Sequence, residues 1–299
     1  MTSGILPVNK PAGKTSFDIV RHVRRATGQR RVGHAGTLDP MATGVLLVLL
    51  GQATRITEYL MDLPKTYRAS IRLGVETTTY DAEGDTVATA DVHVSETQLR
   101  EALLPFVGDI TQVPPAHSAV KVDGERAYAR ARRGEDVAMK ARPARIDRLD
   151  LLRFDSPKVE IEVECGRGTY IRSIAHDLGA ALGSGAHLAS LERTRVGSFA
   201  VEACVDEATL AIAIEAATWA DLVQPTDCGL LTLPAITLEI EDEKDMRHGQ
   251  ATDLGDEHRP PDGSESRAYA EDGSLVGIIR YDASIAMWRP RKIFALADQ

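Results

Sequence analysis

The sequence predicts an α+β chain, and three observations carry that prediction. Strand-like and helix-like stretches mix irregularly along most of the chain, without the strict alternation of a doubly wound fold. Helix-start signals stand before apolar stripes, namely Ser16 or a Thr15–Asp18 pair, and Ser95 with Gln98. Past Gly229 only short strand-like pieces remain, which suit a small β unit.

Taken in order, Ile5–Val8 reads as a short strand. The next helix runs from Ser16 to Thr27, with Gly28 suited to close it. Ile19, Val20, Val23 and Ala26 form its apolar stripe, and Arg21, Arg24 and Arg25 lie off it. A Gly-rich loop, RRVGHAGTLDPMATG, precedes the buried-looking strand VLLVLL. A helix is expected over Ala53–Met61, then an alternating strand over Tyr67–Leu73. Ser95 opens a helix carrying Leu99, Leu103 and Leu104. Arg145–Phe154 and Lys158–Cys165 read as strands and Tyr170–Leu182 as a helix. The turn-like QPTDCG divides the chain into residues 1–228 and 229–299. In the second part, strands are expected at Ile236–Ile240, Ala268–Ala270 and Leu275–Tyr281, with GDEHRPPDGSES a loop between them.

Composition narrows the class. At 43% hydrophobic and 26% charged residues, the chain has an ordinary globular balance. The most apolar run, Val45–Leu50, is far too short to cross a bilayer. The first residues show no charged-then-apolar leader, and Cys165, Cys204 and Cys228 are few and far apart. Both features point to reduced thiols in the cytoplasm. Net charge is −9, yet residues 200–299 balance at −12 and residues 1–199 at +3. A mildly basic body therefore precedes an acidic tail, and a local basic face can still hold phosphates.

Few motifs carry chemistry. PAGKTS at 11–16 has the end of a phosphate-binding loop, but Val8 stands where that motif needs its first glycine. No metal-ligand spacing accompanies His34, and no cofactor motif occurs. The informative stretch is Gly33–Gly44. Pro40 forces Asp39 into extended backbone, and the following strand anchors the loop in the core. Taken by itself, an Asp-Pro pair reads as a turn in which the carboxylate bonds nearby backbone.

Seven blocks change that weighting: NKPAGKTS, GHAGTLDPMATGVL, KTYRASIRLG, TYDAEGD, QVPPAHSAVKVDGERAYARAR, GTYIRSIAHDLG and LERTRVGSF. Their order and spacing resemble the bacterial TruB-type tRNA pseudouridine-55 synthases over about residues 4–199. The resemblance implies a pseudouridine synthase fold, a central mixed, mainly antiparallel sheet flanked by helices. Residues from about 229 look like a small PUA-type barrel, although the −12 balance of residues 200–299 that contain it is unlike a phosphate-binding module. The implied reaction turns one T-loop uridine of tRNA into pseudouridine by breaking N1–C1′ and joining C5 to C1′. It needs no redox change and no cofactor.

By the same resemblance, Asp39 is the carboxylate that attacks the ribose or removes a sugar proton. Tyr67 stacks on the uracil and takes the C5 proton, Arg172 pairs with Asp39, and Asp81 orients Arg172. The target base must leave its stack before reaction. His34 then fills the vacated place, Tyr170 and Leu191 wall the pocket, and Lys10 is a packing or phosphate contact. Residues 120–145 match the insertion that closes over the RNA loop, in a stretch, 116–148, with nine basic and five acidic side chains. The expected partner is the tRNA T-arm stem-loop, with no membrane and no obligatory protein partner. Two rival readings share the fold: a non-catalytic RNA-binding or remodelling protein, and a guide-dependent dyskerin-like synthase. Asp39, Tyr67 and Arg172 together favour catalysis, and the long 120–145 segment favours the stand-alone enzyme.

Overall fold

The computed structural model describes residues 2–118, 120–122, 124–127, 130, 133–135 and 138–295. Its strands, in chain order, begin with β1 (Gly4–Lys10), β2 (Val32–Ala35), β3 (Thr43–Leu50), β4 (Lys65–Leu73), β5 (Val75–Thr77) and β6 (Thr86–Thr89). They continue with β7 (Gly108–Gln112), β8 (Lys121–Val122), β9 (Glu125–Arg126), β10 (Arg142–Asp155), β11 (Lys158–Cys165), β12 (Ala186–Val196) and β13 (Phe199–Ala200). The last four are β14 (Ala235–Thr237), β15 (Glu265–Tyr269), β16 (Leu275–Asp282) and β17 (Met287–Ile293). The helices are α1 (Ser16–Thr27), α2 (Thr57–Asp62), α3 (Glu96–Leu103), α4 (Ile171–Ala181), α5 (Glu207–Glu215) and α6 (Ile240–Arg247).

The body is one nine-stranded mixed sheet in the order β1-β3-β12-β4-β11-β10-β7, with β2 paired to β3 and β13 to β12. Its pairings are antiparallel except β3 with β12. Alternation explains the faces. In β3, Leu46, Val48 and Leu50 pack with Ile19, Val20 and Val23 of α1, while Val45, Leu47 and Leu49 pack on the other side. In β11, Val159, Ile161, Val163 and Cys165 point into a core under α4 and α3. The intervening Glu160, Glu162 and Glu164 face the opposite, more open side. Each buried aliphatic side chain contributes roughly 1.5–3 kcal/mol, so this face alone holds β11 in register.

The caps match their signals. Thr15 and Asp18 form a capping box at α1, Gly28 closes it at φ +66°, and Ser95 with Gln98 caps α3. Elsewhere the elements differ from expectation. The expected helix over Ala53–Met61 is a 3-10 turn, Gly51–Ile56, followed by α2. Ala53 and Ile56, three residues apart, are both buried by that tighter turn. Leu104 is 72% exposed instead of joining the α3 stripe, because Pro105 lacks a donor and the helix gives way to a 3-10 turn. The strand expected at Ile236–Ile240 stops at Thr237, and α6 starts at Ile240. Sequence patterning missed β12, α5 and β17 altogether.

The second sheet, β14-β15-β16-β17, is seated on the body and is not hung from a linker. Ile278 and Phe294 lie in the same buried cluster as Ile5, Leu47, Leu49 and Leu60. Tyr59 donates to Glu265 at 2.7 Å, and Gln52 exchanges hydrogen bonds with Ala295 at 2.7 and 2.8 Å. Among the described residues, no helix is long and apolar enough to cross a membrane.

Candidate active site

The β2–β3 connection carries Asp39 and is stapled from below. Ser16, the first residue of α1, is 2% exposed, and its Oγ accepts from the Leu38 amide (2.9 Å) and donates to the Leu38 carbonyl (3.2 Å). The Pro40 carbonyl accepts from the Gly13 amide at 2.8 Å and from Lys10 Nζ at 3.2 Å. The Ala42 amide donates to the Asp39 carbonyl at 3.1 Å, closing a turn. Leu38 and Ala42 plug into the core under α4. With the backbone so committed, the Asp39 side chain is left free to point at Arg172.

Arg172 projects from the first turn of α4. Gln112 of β7 fixes the entry to that helix, accepting from the Tyr170 amide at 3.0 Å and donating to its carbonyl at 3.3 Å. The Arg172 side chain is 7% exposed. Nε meets Asp39 Oδ2 at 3.0 Å, Nη1 meets Asp81 Oδ2 at 3.2 Å, and Nη2 donates to the His117 carbonyl at 3.0 Å. One guanidinium thus spans two carboxylates. Asp81 is itself held, its Oδ1 accepting from Thr79 Oγ1 (2.5 Å) and the Glu83 amide (3.1 Å). Preceding it, Tyr80 adopts φ +63° and stacks on His176 of α4 at 3.9 Å, which ties the Asp81 turn to the same helix as Arg172.

The electrostatics are mixed. Burial pushes the Asp39 carboxyl above its ordinary value, Arg172 pulls it back, and Asp81 adds to the rise. The side chain keeps 36% of its surface open, so the carboxylate can be reached from outside. Tyr67, on β4, sits between Val163 and Arg193 in neighbouring strands and packs into the core that holds Leu191. Burial pushes its phenol upward, against the nearby Arg193 charge. The Tyr170 phenol is also pushed up, chiefly by burial. His34, on β2, is lowered by burial and then by Arg193, and its Nδ1 is buried without a partner among the described residues. A neutral ring follows.

Lys10 is turned inward beneath the loop. It is fully buried, and its three donors go to the carbonyls of Pro11 (2.9 Å), Lys14 (2.7 Å) and Pro40 (3.2 Å). Burial lowers it to about 8, partly opposed by Asp39. It is a packing residue beneath the loop. Asp39, Asp81 and Arg172 are joined directly, and the charge of Asp39 reaches Tyr67 and Tyr170. Arg193 went unread in the sequence because bulges at Leu188/Ser190 and Arg193/Arg195 break the alternation of β12. Part of the expected RNA-closing insertion, at residues 123, 128, 129, 131, 132, 136 and 137, lies outside the described residues. A groove of about 670 Å³ on the far side of the sheet, lined by Arg68, Arg148, Glu162 and Glu192, contains none of these groups.

Comparisons with known proteins bear on this geometry. A family model described as TruB family pseudouridylate synthase (N terminal domain) matches residues 24–171. A second, tRNA pseudouridylate synthase B C-terminal domain, matches residues 172–230. The chain is 42% identical over 293 residues to tRNA pseudouridine synthase B of Dehalococcoides mccartyi, covering 98% of this chain and 96% of that relative. It is 44% identical over 287 residues to the protein of that name from Leifsonia xyli subsp. xyli, covering 93% of each. Among solved structures, a chain of a Cbf5-Nop10-Gar1 complex is similar with a TM-score of 0.74 at 25% identity, covering 99% of this chain and 86% of that one.

Proposed function

Since this chain belongs to the TruB family of pseudouridylate synthases, we propose that it isomerises the T-loop uridine of tRNA at position 55 and that Asp39 is its catalytic carboxylate. Isomerising uridine in tRNA is the activity the family carries; the position and the residue roles are our reading. The observation that supports it most is the Asp39–Arg172–Asp81 arrangement, a carboxylate pinned by a buried guanidinium yet open on one side.

The chemistry follows from that arrangement. Asp39 attacks C1′ or removes a sugar proton while N1–C1′ breaks. The freed uracil then turns and joins C5 to C1′, which expels the carboxylate in the first route and returns the proton to the sugar in the second. Arg172 keeps the carboxyl ionised and aimed. We read Tyr67, in the same core as Leu191, as stacking on the base and receiving the C5 proton as its own phenol proton passes to the freed N1. A uridine inside the tRNA elbow must first be flipped out. His34, neutral and with an unpartnered ring nitrogen, is suited to fill the gap, and Tyr170 and Leu191 to wall the pocket. We place the division between the catalytic part and a PUA-like tail near residue 229, take residues 120–145 as the RNA-closing insertion, and infer a cytoplasmic enzyme with no obligatory protein partner.

Asp39→Asn tests the assignment. With unmodified tRNA the variant is expected to bind within about threefold of the parent and to yield no pseudouridine, since the two side chains are near-isosteric and only one is a nucleophile or base. Retained turnover refutes the assignment. Mapping the product of the parent protein on bare tRNA, without guide RNA or protein partners, separates it from a guide-dependent synthase. Product at a uridine outside the T loop would overturn position 55.

A further inference from the structure

Arg193 is 1% exposed, lies on β12, and has its guanidinium within hydrogen-bonding reach of the Tyr67 phenol. Two of its nitrogens are committed to main chain, with Nε donating to the Val45 carbonyl at 2.7 Å and Nη2 to the Gly36 carbonyl at 2.9 Å, beside the contact with Tyr67. Those two carbonyls stand on either side of Asp39, one before the loop turns and one where β3 has begun. Among the described residues, no carboxylate lies within ion-pair distance of it. A buried cation without a counter-ion is costly, and a core position needing only volume would hold Leu or Met.

The neighbouring sequence is cut to fit it. Gly36 sits at φ +83°, and a Cβ there would lie 3.3 Å from Arg193 Nη1. Gly44 sits at φ +99°, and a Cβ there would fall 2.2 Å from the Arg193 carbonyl oxygen. The same residue pairs with Gly44 on one side and with Tyr67 on the other, so three strands and the loop meet at it. A guanidinium can hold two carbonyls in one fixed plane, whereas an ammonium is a single point of attachment.

We propose that Arg193 is a positioning residue for the reaction, fixing the span between the two ends of the Asp39 loop and so the placement of the carboxylate against the extruded ribose. The proposal rests on Asp39 being the reacting carboxylate.

The test uses full-length Arg193→Met and Arg193→Lys with intact tRNA. Four quantities are measured: single-turnover pseudouridine formation per folded protein, tRNA affinity, thermal unfolding, and amide hydrogen exchange. In Arg193→Met the rate is expected to fall about a hundredfold, the effect of a displacement near 1 Å, with affinity held within about threefold. Amides at 36–42 should exchange about tenfold faster while those of β4 and α1 hold, because the opening is local. Arg193→Lys should recover about tenfold of the rate by restoring one attachment. The proposal is overturned if the rate per folded molecule stays normal, if Lys and Met are equally impaired, or if exchange rises uniformly. Should Arg193→Met fail to fold, Gly36→Ala, which presses a methyl toward the guanidinium, is expected to give the same local pattern; an unaltered loop and rate there overturn the proposal. Exchange is read without activity, so a working Asp39→Asn protein would sink the Asp39 assignment separately from the loop staple.

Discussion

Arg172 faces Asp39 and Asp81 at once, and the two contacts act on Asp39 in opposite ways. The guanidinium lowers the Asp39 carboxyl, while the Asp81 charge raises it on top of burial. Because the folded pKa is raised, the reactive carboxylate form is lost at a higher pH than for an ordinary Asp. The rate should therefore fall as pH drops, with its acid midpoint above the usual carboxylate range. Substituting the partners moves that midpoint in opposite directions, upward in Arg172→Met and downward in Asp81→Asn. Single-turnover rates across pH check this, and shifts of the same sign would contradict the electrostatic account. Lys10 teaches a plainer lesson. A lysine that looks like a phosphate ligand in sequence is consumed by three carbonyls under the loop.

The loop between β2 and β3 is built by its neighbours. The turn before α1 supplies Gly13, the helix supplies Ser16, β1 supplies Lys10 and β12 supplies Arg193. Ser16→Ala removes both bonds to Leu38 from a buried setting, so unfolding in urea should show a loss of roughly 1–3 kcal/mol together with slower modification. Thr15→Ala takes away only the exposed helix cap, at about 1 kcal/mol, and should leave the rate per folded molecule unchanged. Equal slowing by both would mean that the loop senses α1 as a whole and not the Ser16 bond. The Tyr80–His176 stack does for Asp81 what Ser16 does for Asp39, docking a turn against a rigid helix.

Across the whole molecule, charge and packing assign different work to the two sheets. Binding of tRNA should weaken with salt as phosphate contacts release counterions, and affinity unchanged from moderate to high ionic strength would contradict an electrostatic grip by the body. The tail, acidic at −6 over residues 229–299, is seated by Ile278, Phe294, the Gln52–Ala295 bonds and the Tyr59–Glu265 bond. Removing residues 229–299 should therefore lower the unfolding temperature measurably, because Ile5, Leu49 and Leu60 lose cover. It should cost less than about a hundredfold in affinity, or ~2.7 kcal/mol. A larger affinity loss in a still-folded protein would give the tail a direct hold on RNA.

Local chemistry by itself determined the caps of α1 and α3, the strand VLLVLL and the alternating β11, since these depend on neighbours in the chain. Family-like blocks likewise marked Asp39, Tyr67, Arg172 and Asp81 without showing what joins them. Tertiary structure decided the rest, for a physical reason common to each case. Arg193 and Lys10 are buried by segments distant in sequence, and β12 earns its place through pairing with β4 and not through a clean period. A guanidinium 133 residues from Asp39 becomes its partner at 3.0 Å only when α4 is docked on the sheet.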